Sequence, residues 1–167
     1  MTDVTEKTRE SIVRKAAIRV LFAASLFAAA GSGCTPAGED PAAVAAEVER
    51  WRGTWHCLQR NQEGTLFPKE DVATIRLTMG GTLYHFEWGD DFDEFGRAKF
   101  FPSQSPKAMD VDIESPPEMA GRVIRLIYKF EGDRLILAHR EDGERPRDFT
   151  AEPDSGQTVE VWARQRP

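Results

Sequence analysis

Four carboxylates crowd into the stretch GDDFDEFG, residues 89–96: Asp90, Asp91, Asp93 and Glu94. Calcium takes about six to eight oxygen ligands, so such a stretch is the first place to look for a cation. Aligned with a helix–loop–helix calcium loop, Asp91 and Asp93 fill early ligand places. Phe95 then falls where a third ligand belongs, and Pro102 falls where the closing glutamate belongs. The stretch reads as a solvated hairpin loop, with a weak, irregular cation site as the alternative. The three histidines, His56, His85 and His139, lie far apart, each in a strand-like segment. Three strands of a barrel could bring them to one zinc ion, but no close pair of ligands supports it. They read as independent structural or surface residues, and no metal site is assigned.

Other chemistry is set aside on similar grounds. A serine hydrolase of the nucleophile-elbow type needs G-x-S-x-G; Ser103 and Ser105 sit instead in a proline-rich turn. No phosphate-binding loop or dinucleotide fingerprint is present, so no cofactor is expected. Asp110, Asp112 and Glu114 alternate along one strand face. Paired acids could hydrolyse a glycoside, but the regular spacing reads as the wet face of an antiparallel strand. No catalytic residue is assigned. Tyr84, Phe86, Trp88, Phe100 and Tyr128 form an aromatic set that could line a pocket for a small apolar ligand or fill a core.

The elements that must position these residues follow from periodicity. Asp40-Pro41 is a helix start, a carboxylate cap followed by proline at the first helical position. Val44, Val48 and Trp51 then share one face, and Gly53 ends the helix. From there the period is two. Strands are expected over 54–60, 72–78, 82–88, 96–102, 107–114, 122–130, 133–140 and 158–166, with a tight turn at 79–81 and a hairpin at Glu131-Gly132. No helix-length pattern separates the strands, which disfavours parallel crossovers. Eight antiparallel strands in sequence leave two bare edges unless the sheet closes, so an up-and-down barrel is expected over a two-sheet sandwich. Such a barrel is either filled or holds one small ligand.

The totals fit one globular domain: 167 residues, 30% charged, 40% hydrophobic, net charge −6. The acidic balance argues against nucleic acid as a partner. Arg9, Arg14, Lys15 and Arg19 precede the apolar run VLFAASLFAAA at 20–30. That run is shorter than the roughly 20 residues a membrane span needs, and it suits an export signal. GSGC, ending at Cys34, resembles the bacterial lipobox, with Gly31 standing where an apolar residue is usual. The resemblance implies lipidation of Cys34 and a membrane anchor; plain secretion and an uncleaved anchor are the alternatives. Residues 1–33 are then a signal peptide, 34–40 a tether and 41–166 the barrel domain. The mature chain would carry 17 basic and 25 acidic residues, net −8. Cys57 is then a lone thiol; without lipidation, a Cys34–Cys57 disulfide becomes available.

Gly53-Thr54-Trp55, after a short helix and opening the first strand, resembles the lipocalin G-x-W signature. The resemblance implies that Trp55 closes the base of the barrel, with an arginine of the last strand across its ring. Arg164 matches that place and Arg166 is the fallback. The order G-T-W, SPKAMDVDI (105–113), IYKFEGDRLILAHR (127–140) and RPRDF (145–149) also resembles an uncharacterised lipocalin-like domain family abundant in planctomycete bacteria. That likeness implies a small exported or lipid-anchored β domain and no established activity.

The expected molecule is therefore an exported periplasmic or cell-envelope lipoprotein with an eight-stranded lipocalin-like barrel. Its expected role is non-catalytic: binding a small apolar ligand or an envelope protein. The alternative is a hydrolase using carboxylates or histidine at the barrel mouth.

Overall fold

The structure, a computed structural model, describes residues 38–165. The expected leader, Cys34 and Arg166 lie outside the described residues.

Helix α1 spans Pro41–Trp51. The Ala42 amide donates to the Asp40 carboxylate at 3.0 Å, so the cap satisfies one of the free amides of the first turn. Nine strands follow: β1 Gly53–Gln62, β2 Thr65–Leu66, β3 Ile75–Gly80, β4 Leu83–Trp88, β5 Phe92–Phe101, β6 Lys107–Ser115, β7 Val123–Glu131, β8 Arg134–Arg140 and β9 Gln157–Arg164. A single-turn helix, α2 (Lys69–Val72), sits between β2 and β3.

Every pairing is antiparallel, in the order β1-β3-β4-β5-β6-β7-β8-β9, and β9 pairs back onto β1. Eight strands thus close into an up-and-down, lipocalin-like barrel with no open edge. The two-residue β2 only extends β1 as a hairpin. Closure excludes the two-sheet sandwich.

Besides adding β2, the structure departs from the sequence expectation most clearly in three places. Val72 belongs to α2, and β3 starts three residues later, at Ile75. The turn expected at 79–81 begins later, because β3 runs through Gly80. Strand β5 begins at Phe92, so Asp93 and Glu94 lie in a strand rather than in a solvated loop. The β5–β6 pairing slips between Phe95, opposite Ser115, and Gly96, opposite Ile113, leaving Glu114 of β6 as the extra residue. A Cβ at Gly96 would lie 2.4 Å from the Asp112 carbonyl oxygen, so only glycine fits that close approach.

Alternate residues of each strand fill the interior. Trp51, Trp55, Phe100, Met109, Tyr128, Leu135 and Trp162 are all 2% exposed or less. A second, smaller cluster lies on the outer face: Ala108, Ile127 and Ala138, covered by Phe101, Phe149 and Val159. Phe149 comes from the long β8–β9 connection, which wraps this face. Arg145 anchors that connection, donating to the Leu126 carbonyl at 2.9 Å and to Asp110 at 2.5 Å.

Candidate functional site: the barrel mouth

The two ends of the barrel are built differently. At one end α1 lies across the opening. Trp51 meets Tyr128 edge-on at 5.0 Å and Phe100 at 5.8 Å. Glu47 is buried there because it pairs with Lys107 and accepts from the Tyr128 hydroxyl at 3.1 Å. Burial beside Glu47 pushes the Tyr128 hydroxyl far above its usual pKa, so it stays protonated. The Trp55 indole donates to the Trp51 carbonyl at 2.8 Å, and the Arg164 guanidinium lies 4.3 Å from the Trp55 ring centre. Arg164 also donates to the carbonyls of Arg50 and Arg52. Gly53 makes room: its φ is +114°, and a Cβ there would come within 3.2 Å of Arg164 Nη1. This end is a packed aromatic plug tied across β1 and β9.

At the other end, the mouth, the inward side chains Phe86, Trp88, Ile124 and His139 are only half-buried. Below them lies a polar layer. Arg60 on β1 and Glu160 on β9 face each other in register and form an ion pair, though they are only 9% and 2% exposed. The Arg60 guanidinium also lies over Phe67 and Trp88, 5.5 and 5.2 Å from the ring centres. Across the barrel, the Tyr84 hydroxyl faces the Glu94 carboxyl. Burial raises the Glu94 pKa to about 7, opposed by the Tyr84 hydrogen bond and the Arg122 charge. Burial, together with Glu94 and Glu160, also raises the Tyr84 pKa.

His139 stands opposite Thr158 in the β8–β9 pairing and points inward with Leu135 and Leu137. Surrounding protein lowers its pKa to about 4, which outweighs the attraction of Glu160, so the imidazole is neutral at pH 7. It has no hydrogen-bond partner among the described residues, and its ring nitrogens are not sealed from solvent. By contrast, Arg60 Nε, Thr158 Oγ1 and Trp162 Nε1 are sealed and unpartnered.

The aromatic set named from the sequence divides between the two ends. Phe100 and Tyr128 belong to the plug, Phe86 and Trp88 line the mouth, and Tyr84 lies between. The carboxylates of 89–96 do not converge: Asp90 and Asp91 are in the exposed turn, Asp93 pairs outward with His85, and Glu94 points inward. The histidines diverge too, His56 bonding Gln165 and His85 stacking on Phe95, both outside. No group of three potential metal ligands occurs among the described residues. Cys57 is a free, buried thiol held protonated by burial and by Glu160.

Sequence reasoning missed Arg60 and Glu160. A bulge between Cys57 and Gln59 shifts the alternation of β1 by one, so Arg60 turns inward where strict parity from Trp55 puts it outward. In β9, Val159 packs in the outer cluster while Thr158 and Glu160 are buried, so apolar residues lie on both faces and hydropathy gives no inward direction.

Comparison with models of protein families, with curated proteins and with solved structures finds no match to this chain.

Proposed function

We propose that the chain is an exported, lipid-tethered, non-catalytic binding protein whose barrel mouth takes a small, mainly apolar molecule. One observation carries this reading. The inward side chains Phe86, Trp88 and Ile124 gather at the mouth with His139, all half-buried, while α1 covers the other end with Trp51 and Trp55 fully buried. Accessible apolar surface with a few inward polar groups is the usual make-up of a small-molecule site. The plug fills the other half, so the ligand is small and enters only part of the barrel. Export and tethering rest on the basic, apolar and small-residue order ending at Cys34.

A hydrolase would need an accessible acid and base working together. The accessible imidazole at the mouth is unpaired, and two of the outward carboxylates of β6 are engaged by arginines, Asp110 by Arg145 and Glu114 by Arg97.

The test uses N-phenyl-1-naphthylamine, an apolar dye that fluoresces when it leaves water. Titrated into the folded chain it gives a saturable rise, and Ile124→Trp, which narrows the mouth without touching the plug, removes it. No rise, or a rise that Ile124→Trp leaves intact while circular dichroism shows a native fold, overturns the reading.

A further inference from the structure

We propose that the α1 end of the barrel carries a second site, a cleft in which the guanidiniums of Arg50 and Arg164 hold a small, singly charged oxyanion: a carboxylate or a phosphate diester on a short apolar stem. The site is separate from the mouth and does not rest on the reading given for it. A cavity of about 280 Å³ lies beside the aromatic plug, lined by Arg50, Trp55, Phe130, Ala163, Arg164 and the β7–β8 turn at Gly132-Asp133. Drug-sized sites span roughly 300–1,000 Å³, so this one suits a small ligand.

The first support is how the two cations are held. Arg50 comes from the last turn of α1 and Arg164 from the end of β9. Each guanidinium is braced on a ring: Arg50 lies 4.0 Å from the Phe130 centre and Arg164 4.3 Å from the Trp55 centre. Those two rings are 5.9 Å apart. A guanidinium stacked by its face keeps its N–H donors at the edge, oriented in advance for the paired oxygens of a carboxylate or phosphate. Arg164 gives one hydrogen bond from each Nη to the carbonyls of Arg52 and Arg50, and a guanidinium has further N–H donors beyond those. The Arg50 side chain makes no hydrogen bond or ion pair among the described residues. Both arginines are exposed, so a ligand reaches them from solvent.

The second support is the charge balance. The carboxylates on the elements around the cleft are engaged. Glu47 and Glu49 of α1 pair with Lys107 and Arg52, Glu131 of β7 pairs with Lys129, and Glu160 of β9 pairs with Arg60 at the mouth. Asp133, on the rim of the cleft, has an interaction of its own. Arg134, exposed at the start of β8 opposite Ala163, has no ion pair among the described residues and adds a third positive charge nearby. This spot is positive on a chain whose net charge is −6. Within the cleft, two guanidiniums stand against the one carboxylate of Asp133, a surplus that suits a single negative charge. An oxyanion between Arg50 and Arg164 offsets their mutual repulsion. An organic cation adds to that repulsion, and a neutral molecule forms none of the charge-assisted bonds.

Benzoate and methyl phenyl phosphate carry the anion, and benzyl alcohol is their neutral counterpart. Each is titrated at pH 7 into the full chain. Two-dimensional NMR follows the amides of Gly132 and Ala163 and the Nε–H of Arg164, with the Trp88 amide reporting on the mouth. The anions are expected to move the first three signals saturably and to bind at least about tenfold more tightly than benzyl alcohol. Arg50→Gln removes a charge from an exposed position and should weaken both anions about tenfold, while circular dichroism shows a native fold. Vesicles of phosphatidylglycerol or phosphatidylcholine then separate the sources of the phosphate. Capture by phosphatidylglycerol alone that Arg50→Gln reduces supports the site with a lipid head group in it. No such capture, with methyl phenyl phosphate still bound, supports it with a free molecule in it. The proposal is overturned if benzyl alcohol binds as tightly as the anions, if the anions leave Gly132, Ala163 and Arg164 unmoved, or if folded Arg50→Gln binds them unchanged. The comparison of probes on the native chain decides the matter even where the variant fails to fold.

Discussion

Glu94 shows at a single residue what the barrel gives up. Its carboxyl is inward and 3% exposed, and its pKa rises from 4.5 to about 7. Below pH 4.5 both folded and unfolded chains hold this proton, and the group does not affect stability. Between pH 4.5 and 7 the unfolded chain releases it while the native chain keeps it. Stability therefore falls as pH rises through this window and does not recover above it. The size is roughly 3 kcal/mol at one unit per 1.36 kcal/mol. His139 acts in the opposite direction: its lowered pKa of about 4 costs stability as pH falls below 6.5. Comparing Glu94→Gln with the native chain cancels the histidine. Urea unfolding should show the variant gaining roughly 3 kcal/mol relative to the native chain between pH 4 and pH 8. A difference that does not change with pH would show that Glu94 ionises normally.

At the scale of elements, the decisive contacts join α1, β1 and β9. The Trp55 ring is held between the α1 carbonyl it donates to and the Arg164 guanidinium above it. Trp55→Ala removes a buried indole and should cost about 3–5 kcal/mol in denaturant unfolding. Arg164→Ala loses the stacking and leaves two carbonyls of the α1 end without their donor, and should cost about 1–2 kcal/mol. Near-zero values for both would mean that β1 and β9 hold together without this lock. Much of this level was readable in the sequence. Period-two alternation located the eight strands, and Asp40-Pro41 with Gly53 bounded the helix. The bulges were not readable, because a one-residue slip leaves no mark in hydropathy. The one at Cys57–Gln59 re-aims Arg60, and the one opposite Phe95–Gly96 leaves Glu114 as an extra residue in β6. The polar layer at the mouth stayed hidden for that reason: its members look like solvent-facing residues until register is known.

At the scale of the whole molecule, α1 covers one end of the barrel and half-buried side chains line the other, and the proposed function depends on that difference. The four tryptophans report on it from fixed positions. Trp51 and Trp55 sit in the plug, Trp162 is buried mid-barrel, and Trp88 lines the mouth. Hydroxyl-radical footprinting read by mass spectrometry measures all four in one experiment on the folded chain. Trp88 should be oxidised well ahead of the other three, and a bound apolar probe should slow Trp88 alone. Equal protection of Trp88, or rapid oxidation of Trp51 or Trp55, would contradict that difference between the ends.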